Sequence, residues 1–424
     1  MNAALVTALI VFFVLSVPVG VAIGLAAIVG VSFFSPLPLL VVPQKIFTSL
    51  DSFPLLAVPF FILAGNLMTS GGVSRRLVNF AKSLVGGIQG GLGATCVVTC
   101  MIFASISGSS VATTFAIGAI LVPAMARHKY PVPMAATIQA SSAELGVIIP
   151  PSVPLIIYGV ATETSITQLF MAGIGPGLLI ATALIIMTQI WCRLKGIGMS
   201  DGDDSEPILE SFLDAFWALM LPVIILGGIY GGIFTPTEAA AVSVIYALVV
   251  GLFIYREMSI TDLPQIFRAA TISTVAIMLI IATAGLFSFL VSLSGLPSVV
   301  GAWAEGFFES PISFLLFVNI LLLLVGMFVE TSAAILVLAP ILAPIAIGYG
   351  IDPVHFGMII VINLALGMIT PPLGVNLFAA AQVARIPVQR MFLPLAVPFT
   401  VVLSMLLMIT YVPEISLFFR DLFT

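Results

Sequence analysis

Two short motifs carry backbone groups that could bind a cation. Gly146-Val-Ile-Ile-Pro-Pro151 recurs as Gly367-Met-Ile-Thr-Pro-Pro372, at an offset of 221 residues. A proline pair inside a helix removes two backbone donors and frees the carbonyl groups one turn earlier. In a membrane these carbonyls need a partner, because unpaired polar groups are costly there. A dehydrated cation is one such partner.

Hydroxyl-rich segments accompany both motifs and complete two candidate sites. The first site combines the carbonyls of residues 146–152 with the hydroxyls of Ser105, Ser107, Ser109 and Ser110. The second combines the carbonyls of residues 367–374 with the polar side chains of Thr370, Asn376, Thr331 and Ser332. Oxygen ligands without a carboxylate cluster favour a monovalent ion such as Na⁺. The sequence therefore predicts two symmetry-related Na⁺ sites.

Two acidic residues, Glu144 and Glu330, fall at predicted membrane depth. A carboxylate there costs about 2.5–3.5 kcal/mol on insertion scales, so the presence of each residue requires a functional or structural explanation. Each could be a cation ligand, a proton carrier or a gate. The alternative is a protonated or hydrogen-bonded carboxyl group that packs a broken helix against its hairpin.

No Lys or Arg lies in any predicted membrane core. An organic anion bound there would be held by helix N-termini, by hydroxyl groups and by bound Na⁺. The candidate substrate-binding residues lie beside the breaks: Ser110, Ser152, Ser332, Gly374 and Asn376.

The composition places these motifs in a bilayer. Of 424 residues, 61% are apolar and 7% are charged, whereas soluble domains are about 45–50% apolar and about 25% charged. The low polarity excludes a disordered chain, three cysteines exclude a disulfide scaffold, and the sparse charges exclude a nucleic-acid surface.

The apolar stretches predict an all-α polytopic protein, since about 20 residues cross the hydrocarbon as a helix. Nine crossings are predicted, at 3–30, 53–69, 133–160, 173–194, 213–231, 236–255, 266–293, 354–384 and 391–412. Two further tracts, 87–126 and 311–347, have a polar centre and predict re-entrant hairpins, although each is long enough for two ordinary spans. Residues 71–83 predict an interfacial amphipathic helix, and 198–214 an acidic linker.

Positive residues predict the orientation, because they favour cytoplasmic loops. Nine crossings and two hairpins place the N-terminus in the cytoplasm and the C-terminus outside. On that topology only Lys45 and Arg420, of 13 Lys and Arg residues, lie outside.

The chain contains an internal repeat that inverts. Besides the two motifs, Pro123 pairs with Pro344 and Ser110 with Thr331 at the same offset. An odd number of crossings separates equivalent points, with 213–231 inserted between the halves, so the second copy is upside down. The hairpins then enter from opposite sides and meet near the midplane. A chance Pro-Pro match is the alternative.

Four segments resemble the large membrane subunit, of DctM type, of tripartite ATP-independent periplasmic (TRAP) transporters. They are Ser107–Ala112, Ala143–Ser152, Glu330–Ile335 and Gly367–Asn376. The resemblance implies Na⁺-driven import of organic acids across a bacterial inner membrane, with C4-dicarboxylates expected first and sialic acid or other sugar and keto acids next. It also implies two partners: a small four-helix membrane subunit and a periplasmic substrate-binding protein.

The resemblance also implies site residues and an elevator mechanism. One family sodium site maps onto Ser105, Ser107, Gly146, Ile149 and Pro151, and the other onto Gly326, Thr331, Gly367 and Thr370. In the elevator interpretation, 87–172 and 311–390 are the two halves of a transport domain. Residues 1–86 and 173–310 are scaffold, and 391–424 form the closing helix and C-terminus.

The sequence bears on three other functions. An intramembrane enzyme would need a membrane His-Glu-x-x-His motif, a basic residue beside a Ser, or paired Asp residues, and the predicted spans contain none. A channel fits paired broken helices less well than alternating access does. A proton-coupled carrier that uses Glu144 or Glu330 stays open.

Overall fold

The computed structural model describes residues 2–199 and 206–423, and within these ranges the regular structure is helical throughout. The predicted all-α fold is confirmed. Residues 200–205 of the predicted acidic linker lie outside the described residues.

Eleven helices and one 3-10 turn form the first half. They are α1 Asn2–Val14, α2 Val19–Phe34, α3 Val41–Leu50, η1 Phe53–Leu56, α4 Ala57–Ser70, α5 Val73–Val85, α6 Gly91–Ser107, α7 Ser110–Arg127, α8 Val132–Ala143, α9 Leu145–Ile148, α10 Val153–Thr162 and α11 Ile166–Lys195.

The described part of the second half follows a similar order. It contains α12 Ile208–Tyr230, α13 Pro236–Val249, a π-helical turn η2 Val250–Ile254, α14 Leu263–Leu293, α15 Leu296–Phe307, α16 Pro311–Gly326, α17 Thr331–Gly348, α18 Pro353–Met368, α19 Val375–Ala384, a 3-10 turn η3 Val388–Met391, α20 Phe392–Tyr411 and α21 Glu414–Phe423.

Both predicted hairpins and both predicted broken helices are confirmed. Helices α6 and α7 form hairpin 1, with its tip at Gly108 and Ser109, and α16 and α17 form hairpin 2, with its tip at 327–330. Helices α8 to α10 bend by 41° at the first Pro-Pro motif, and α18 and α19 are separated by the second. Within the described ranges, eight helices are long and apolar enough to cross a membrane, or nine with the bent pair counted as one span.

The single crossing predicted over 3–30 is wrong. Helix α1 ends at a turn in which Ser16 has a φ of 59°, and Val17 N–H donates to Phe12 O (3.0 Å). Helix α2 then folds back along α1, so that a Cβ on Gly30 would lie 2.4 Å from the Leu5 side chain. The uniform apolar composition conceals this turn. The fold-back also removes the basis for a cytoplasmic N-terminus.

Helix α12 is the counterpart of α1 in the second half, and the prediction that 213–231 is an insertion is wrong. Each of the two helices precedes and packs against the first long helix of its repeat, α2 or α13. The turn before α13 has Gly232 at φ 68°, in the place that Ser16 takes before α2. Helix α15 likewise repeats α5, whose first and last residues lie 223 and 222 positions earlier. The repeat is therefore more complete than the motifs alone indicate.

The two repeats interlock through equivalent helix pairs. Helix α2 packs on α14 and, equivalently, α4 packs on α13. The second arm of each hairpin packs on the far half of the other repeat's broken helix, α7 on α19 and α17 on α10. Each repeat therefore completes the core of the other.

Charged residues fix the predicted amphipathic helix, α5, to its neighbours. Arg76 contacts Asp214 (3.1 Å) and Glu257 (2.6 Å), and its guanidinium lies 3.9 Å from the centre of the Tyr255 ring. Burial alone would lower the pKa of Arg76, but Glu257 and Asp214 raise it overall. Helix α5 is thereby tied to α12 and to the segment after α13.

A C-terminal helix, α21, packs along α11 and covers the start of α18. Arg420 contacts Asp352 (2.6 Å), whose carboxylate also accepts from the Val354 and His355 amides at the start of α18. Burial opposes ionisation of Asp352, yet Arg420 and these amides lower its pKa overall. The ring of His355 is buried, 3.3 Å from both Ser416 Oγ and Thr410 O.

The turn between α1 and α2 gives a labelling prediction. Leu15 is 66% exposed there, whereas a straight crossing would place it near the bilayer centre. On the predicted orientation of the later spans, we expect Leu15→Cys to react with a membrane-impermeant maleimide in inside-out vesicles but not in right-side-out vesicles. The parent protein, whose three cysteines are buried, is the control. Protection in both preparations would contradict a turn at the membrane surface.

Candidate functional site: two hairpin tips against two helix breaks

Hairpin 1 turns through a glycine and a capping serine. Gly108 ends α6 at a φ of 61°, a conformation that glycine adopts without a Cβ penalty. Ser109 caps α7, and its Oγ accepts from the Ala112 amide (3.4 Å). Beneath the tip, the hydroxyls of Ser107 and Thr113 are 3.1 Å apart. Thr113 was not predicted, since it lies inside a helix and outside the tip motif.

The first Pro-Pro break lies directly against this tip. A Cβ on Gly146 would be 2.9 Å from both Ser109 O and Thr113 Oγ1, and one on Gly108 would be 2.8 Å from Pro151 O. The Val153 amide donates to Gly108 O (3.4 Å). The backbone of the break therefore reaches the backbone of the tip, as the motif pairing predicts.

The second break meets hairpin 2 even more closely. A Cβ on Gly367 would lie 2.5 Å from the Cα of Gly326. The Gly374 amide donates to Met327 O (3.4 Å), and Thr331 Oγ1 lies 2.9 Å from Met368 Sδ. Both Pro-Pro peptide bonds, 150–151 and 371–372, are cis. Tip and break thus form equivalent pairs in the two repeats.

The side chains of three other predicted cation-site residues make contacts of their own. Ser105 Oγ donates to Ile102 O (2.7 Å) within its own helix, and Thr370 Oγ1 donates to Leu366 O (2.7 Å). The Ile149 side chain packs against Gly177 of α11. The two hydroxyl oxygens keep lone pairs for a cation, whereas at Ile149 the backbone is the group that could bind one.

A cavity of about 160 Å³ lies between the two hairpin tips. Two of the predicted substrate-binding residues, Ser110 and Ser332, line it. Ser152 instead donates to Val147 O (2.5 Å), Gly374 caps α19, and Asn376 faces Glu144.

Other walls of the cavity were not predicted. Helices α4 and α14 contribute the polar residues Asn66, Thr69 and Ser273. These residues lie in ordinary spans, and nothing in their spacing marks them. Among the described residues lining the cavity, the one charged side chain is Glu330. A ligand anion would therefore depend on helix ends, polar groups and bound cations.

The two tips differ in charge although they share a shape. Glu330 occupies the position equivalent to Ser109, and its carboxylate accepts from Ser332 N (2.9 Å), Ser332 Oγ (2.9 Å) and Ala333 N (3.3 Å). The N-terminus of α17 therefore already has an anionic partner. The N-terminus of α7 has only the neutral Ser109 cap.

Glu144 lies between the repeats and outside the cavity. It is 1% exposed, and its Oε1 accepts from Asn376 Nδ2 (2.6 Å). Its Oε2 has no hydrogen-bond partner among the described residues. The two predicted acidic residues therefore differ in surroundings, since only Glu330 reaches the cavity.

Paired hairpins and broken helices in two inverted repeats define a secondary-transporter fold. The solved structure of the YdaH transporter of Alcanivorax borkumensis shares this fold, with a TM-score of 0.66 at 15% identity over 87% of this chain and 86% of that chain. Residues 6–415 match the family model described as "Tripartite ATP-independent periplasmic transporter, DctM component". The chain belongs to this family.

Two relatives support the assignment. The chain is 43% identical to the C4-dicarboxylate TRAP transporter large permease protein of Pseudomonas aeruginosa, over 93% of this chain and 92% of the relative. It is 42% identical to the isethionate TRAP transporter permease protein of Oleidesulfovibrio alaskensis, over 96% of this chain. The chain spans 64% of that second protein's length.

The glycine contact in the second repeat gives a stability prediction. In Gly367→Ala the new methyl group would overlap Gly326 backbone atoms, which cannot rotate away, so we expect a loss of about 1–3 kcal/mol and a lower thermal midpoint. Gly227→Ala is the control, because a Cβ there meets nothing within 4 Å and Ala favours helix. Equal midpoints for Gly367→Ala and the parent would show that the backbones are farther apart.

Proposed function

We propose that this chain is the large subunit of a Na⁺-coupled TRAP transporter that imports organic acids across a bacterial inner membrane. A periplasmic binding protein delivers the substrate, and a small four-helix membrane subunit completes the complex. The observation that carries the proposal is the pair of tip-and-break contacts beside a cavity without Lys or Arg among its described lining residues.

The geometry of the breaks favours Na⁺ as the coupling ion. Gly146 and Gly367 allow the backbone of each break to approach its hairpin tip. Backbone carbonyls and hydroxyls, such as those of Ser107, Thr113 and Thr331, supply the oxygen ligands that a hard monovalent cation prefers. Bound Na⁺ also supplies positive charge beside a cavity whose side chains otherwise give an anion little electrostatic stabilisation.

We further propose elevator-like movement of residues 87–172 and 311–390 against the remaining spans. The cavity supports this division, because the hairpin tips form one wall and α4 and α14 form another. The tip of hairpin 1 approaches α4 at a small residue, since a Cβ on Gly65 would be 3.2 Å from the Cα of Ser107. A small residue at this contact permits close approach without interlocking side chains.

The coupling ion is tested by ion replacement. In proteoliposomes that contain the whole complex and binding protein, replacing Na⁺ with choline at constant pH and membrane potential should reduce uptake to the level of empty liposomes. We also expect Pro372→Ala to need more Na⁺ for half-maximal uptake, because it restores a backbone donor beside the break.

Pro398→Ala is the matched control, because Pro398 lies inside the continuous helix α20 and belongs to neither broken helix. It should keep the parental Na⁺ dependence. Uptake that continues in choline would overturn Na⁺ coupling, and unaltered Na⁺ activation in both Pro151→Ala and Pro372→Ala would exclude the breaks as the sites.

The substrate class is tested on the binding protein. The named substrates of the two relatives, a C4-dicarboxylate and isethionate, are both organic anions. We therefore expect a panel of organic acids, C4-dicarboxylates first and then sialic, sugar and keto acids, to contain a ligand that raises the thermal midpoint of the cognate binding protein. Stabilisation by neutral sugars or cations alone would contradict the proposal.

A further inference from the structure

A long, mainly apolar groove runs between α7 of the first repeat and α19 of the second. It consists of two adjoining cavities of about 470 Å³ and 650 Å³, which share Phe115 of α7 and Gln382 of α19 as walls. Val111 and Val375 line one end of the groove, and Arg385 lies at the other end. The space, called here the α7–α19 groove, therefore follows a contact between the two repeats and lies apart from the cavity between the hairpin tips.

The α7–α19 groove has the length of one lipid leaflet. Helix α7 begins at the tip of hairpin 1 and α19 begins at the second break, so both run from the predicted membrane centre to its cytoplasmic surface. The groove follows α7 from Val111 to Ala126, which is about 22 Å at about 1.5 Å per residue. Half of a bilayer with its headgroups measures about 20–22 Å. A single phospholipid of the cytoplasmic leaflet therefore matches the groove in length.

The polarity of the groove wall changes in the same order as the polarity of a phospholipid. Near the membrane centre the wall is apolar and exposed, since Val375 is 41% and Phe378 46% exposed. Gln382, one turn after Phe378, adds an amide that can donate to an ester carbonyl. Arg385 then adds a guanidinium, whose planar donors fit the oxygens of a phosphate. Acyl chain, ester and phosphate thus meet matching groups in sequence.

Charge complementarity favours an anionic lipid over a zwitterionic one. The groove is built by residues 110–132, from α7 to the start of α8, and by residues 375–391, from α19 to the end of η3. These two segments contain no Asp or Glu, and their Lys and Arg residues are Arg127, Lys129, Arg385 and Arg390. Basic groups at the cytoplasmic end of membrane helices attract anionic headgroups.

We propose that the α7–α19 groove is a binding site for an anionic phospholipid of the cytoplasmic leaflet. An acyl chain lies along Phe115 and Phe378, the ester region lies at Gln382 and the phosphate lies at Arg385. Because the lipid contacts one helix of each repeat, its binding stabilises the contact between them. The site is separate from the proposed Na⁺ and substrate sites.

Fluorescence quenching at the groove wall tests the proposal. Phe378→Trp is placed in complete complexes, reconstituted in mixtures of phosphatidylcholine and phosphatidylglycerol in which one lipid carries brominated acyl chains. Subtracting the parent removes the signal of the native Trp residues. We expect brominated phosphatidylglycerol to quench the new Trp at a lower mole fraction than brominated phosphatidylcholine does. Phe115→Trp, on the opposite wall of the groove, is a second reporter that should give the same preference.

A charge variant locates the headgroup. On the Phe378→Trp background, Arg385→Gln should reduce the preference for phosphatidylglycerol about fivefold, which is the weight of one basic residue at an anionic membrane surface. Arg268→Gln is the matched control, because it removes an exposed arginine near the start of α14 and outside the groove. It should keep the parental preference. Equal losses in the two variants would assign the preference to overall charge and overturn the site.

Two further outcomes would overturn the proposal. If neither brominated lipid quenches either reporter, protein covers the groove in the complete complex. If both lipids quench equally, the groove is an ordinary lipid contact with no headgroup site. The assay measures binding and not transport, so its result does not depend on which ion drives uptake.

Discussion

This structure depends on one constraint: where a helix breaks inside a membrane, its backbone N–H and C=O groups still need partners. Each Pro-Pro motif interrupts a helix in a region with little water, and each is met by the tip of a hairpin from its own repeat. The contact requires backbone to reach backbone, which explains glycine at 146, 326 and 367. The hairpins, the inversion and the shared cavity all follow from bringing two such contacts to the same depth.

Interlocking of the repeats is the second organising feature. Since α7 packs on α19 and α17 packs on α10, neither half has a complete core without the other. The buried Glu144–Asn376 contact lies in one of these seams. Side chains that lie far from the cavity can therefore influence it, because the seam fixes how the two breaks are placed relative to each other.

Much of this arrangement can be predicted from the sequence, because proline pairs, hydroxyl clusters and long apolar stretches have few interpretations in a bilayer. The fold-back at Ser16 has one local signal, Pro18 at the start of α2, because α1 and α2 are equally apolar and the turn lacks glycine. Helix α15 carries too few charges to be recognised as an amphipathic helix, and α21 is too short to be recognised as a separate element. At the site, the pairing of tips with breaks follows from the motifs, whereas Thr113 and Asn66 are located only when separate helices are brought together. Their contribution is tertiary and leaves no local pattern.

The two equivalent helix caps, Ser109 and Glu330, differ in charge. The two ends of the cavity therefore differ electrostatically. Inverted repeats with identical side chains would present the same electrostatic potential to both ends of a bound solute. Here one tip offers an uncompensated helix end and the other an acidic side chain already bonded to its own helix. A solute with a single anionic end can match this polarity in only one of two orientations. A solute with anions at both ends must have one of them screened by a counterion. The duplicated fold thus keeps its geometric symmetry, but its electrostatic field is asymmetric.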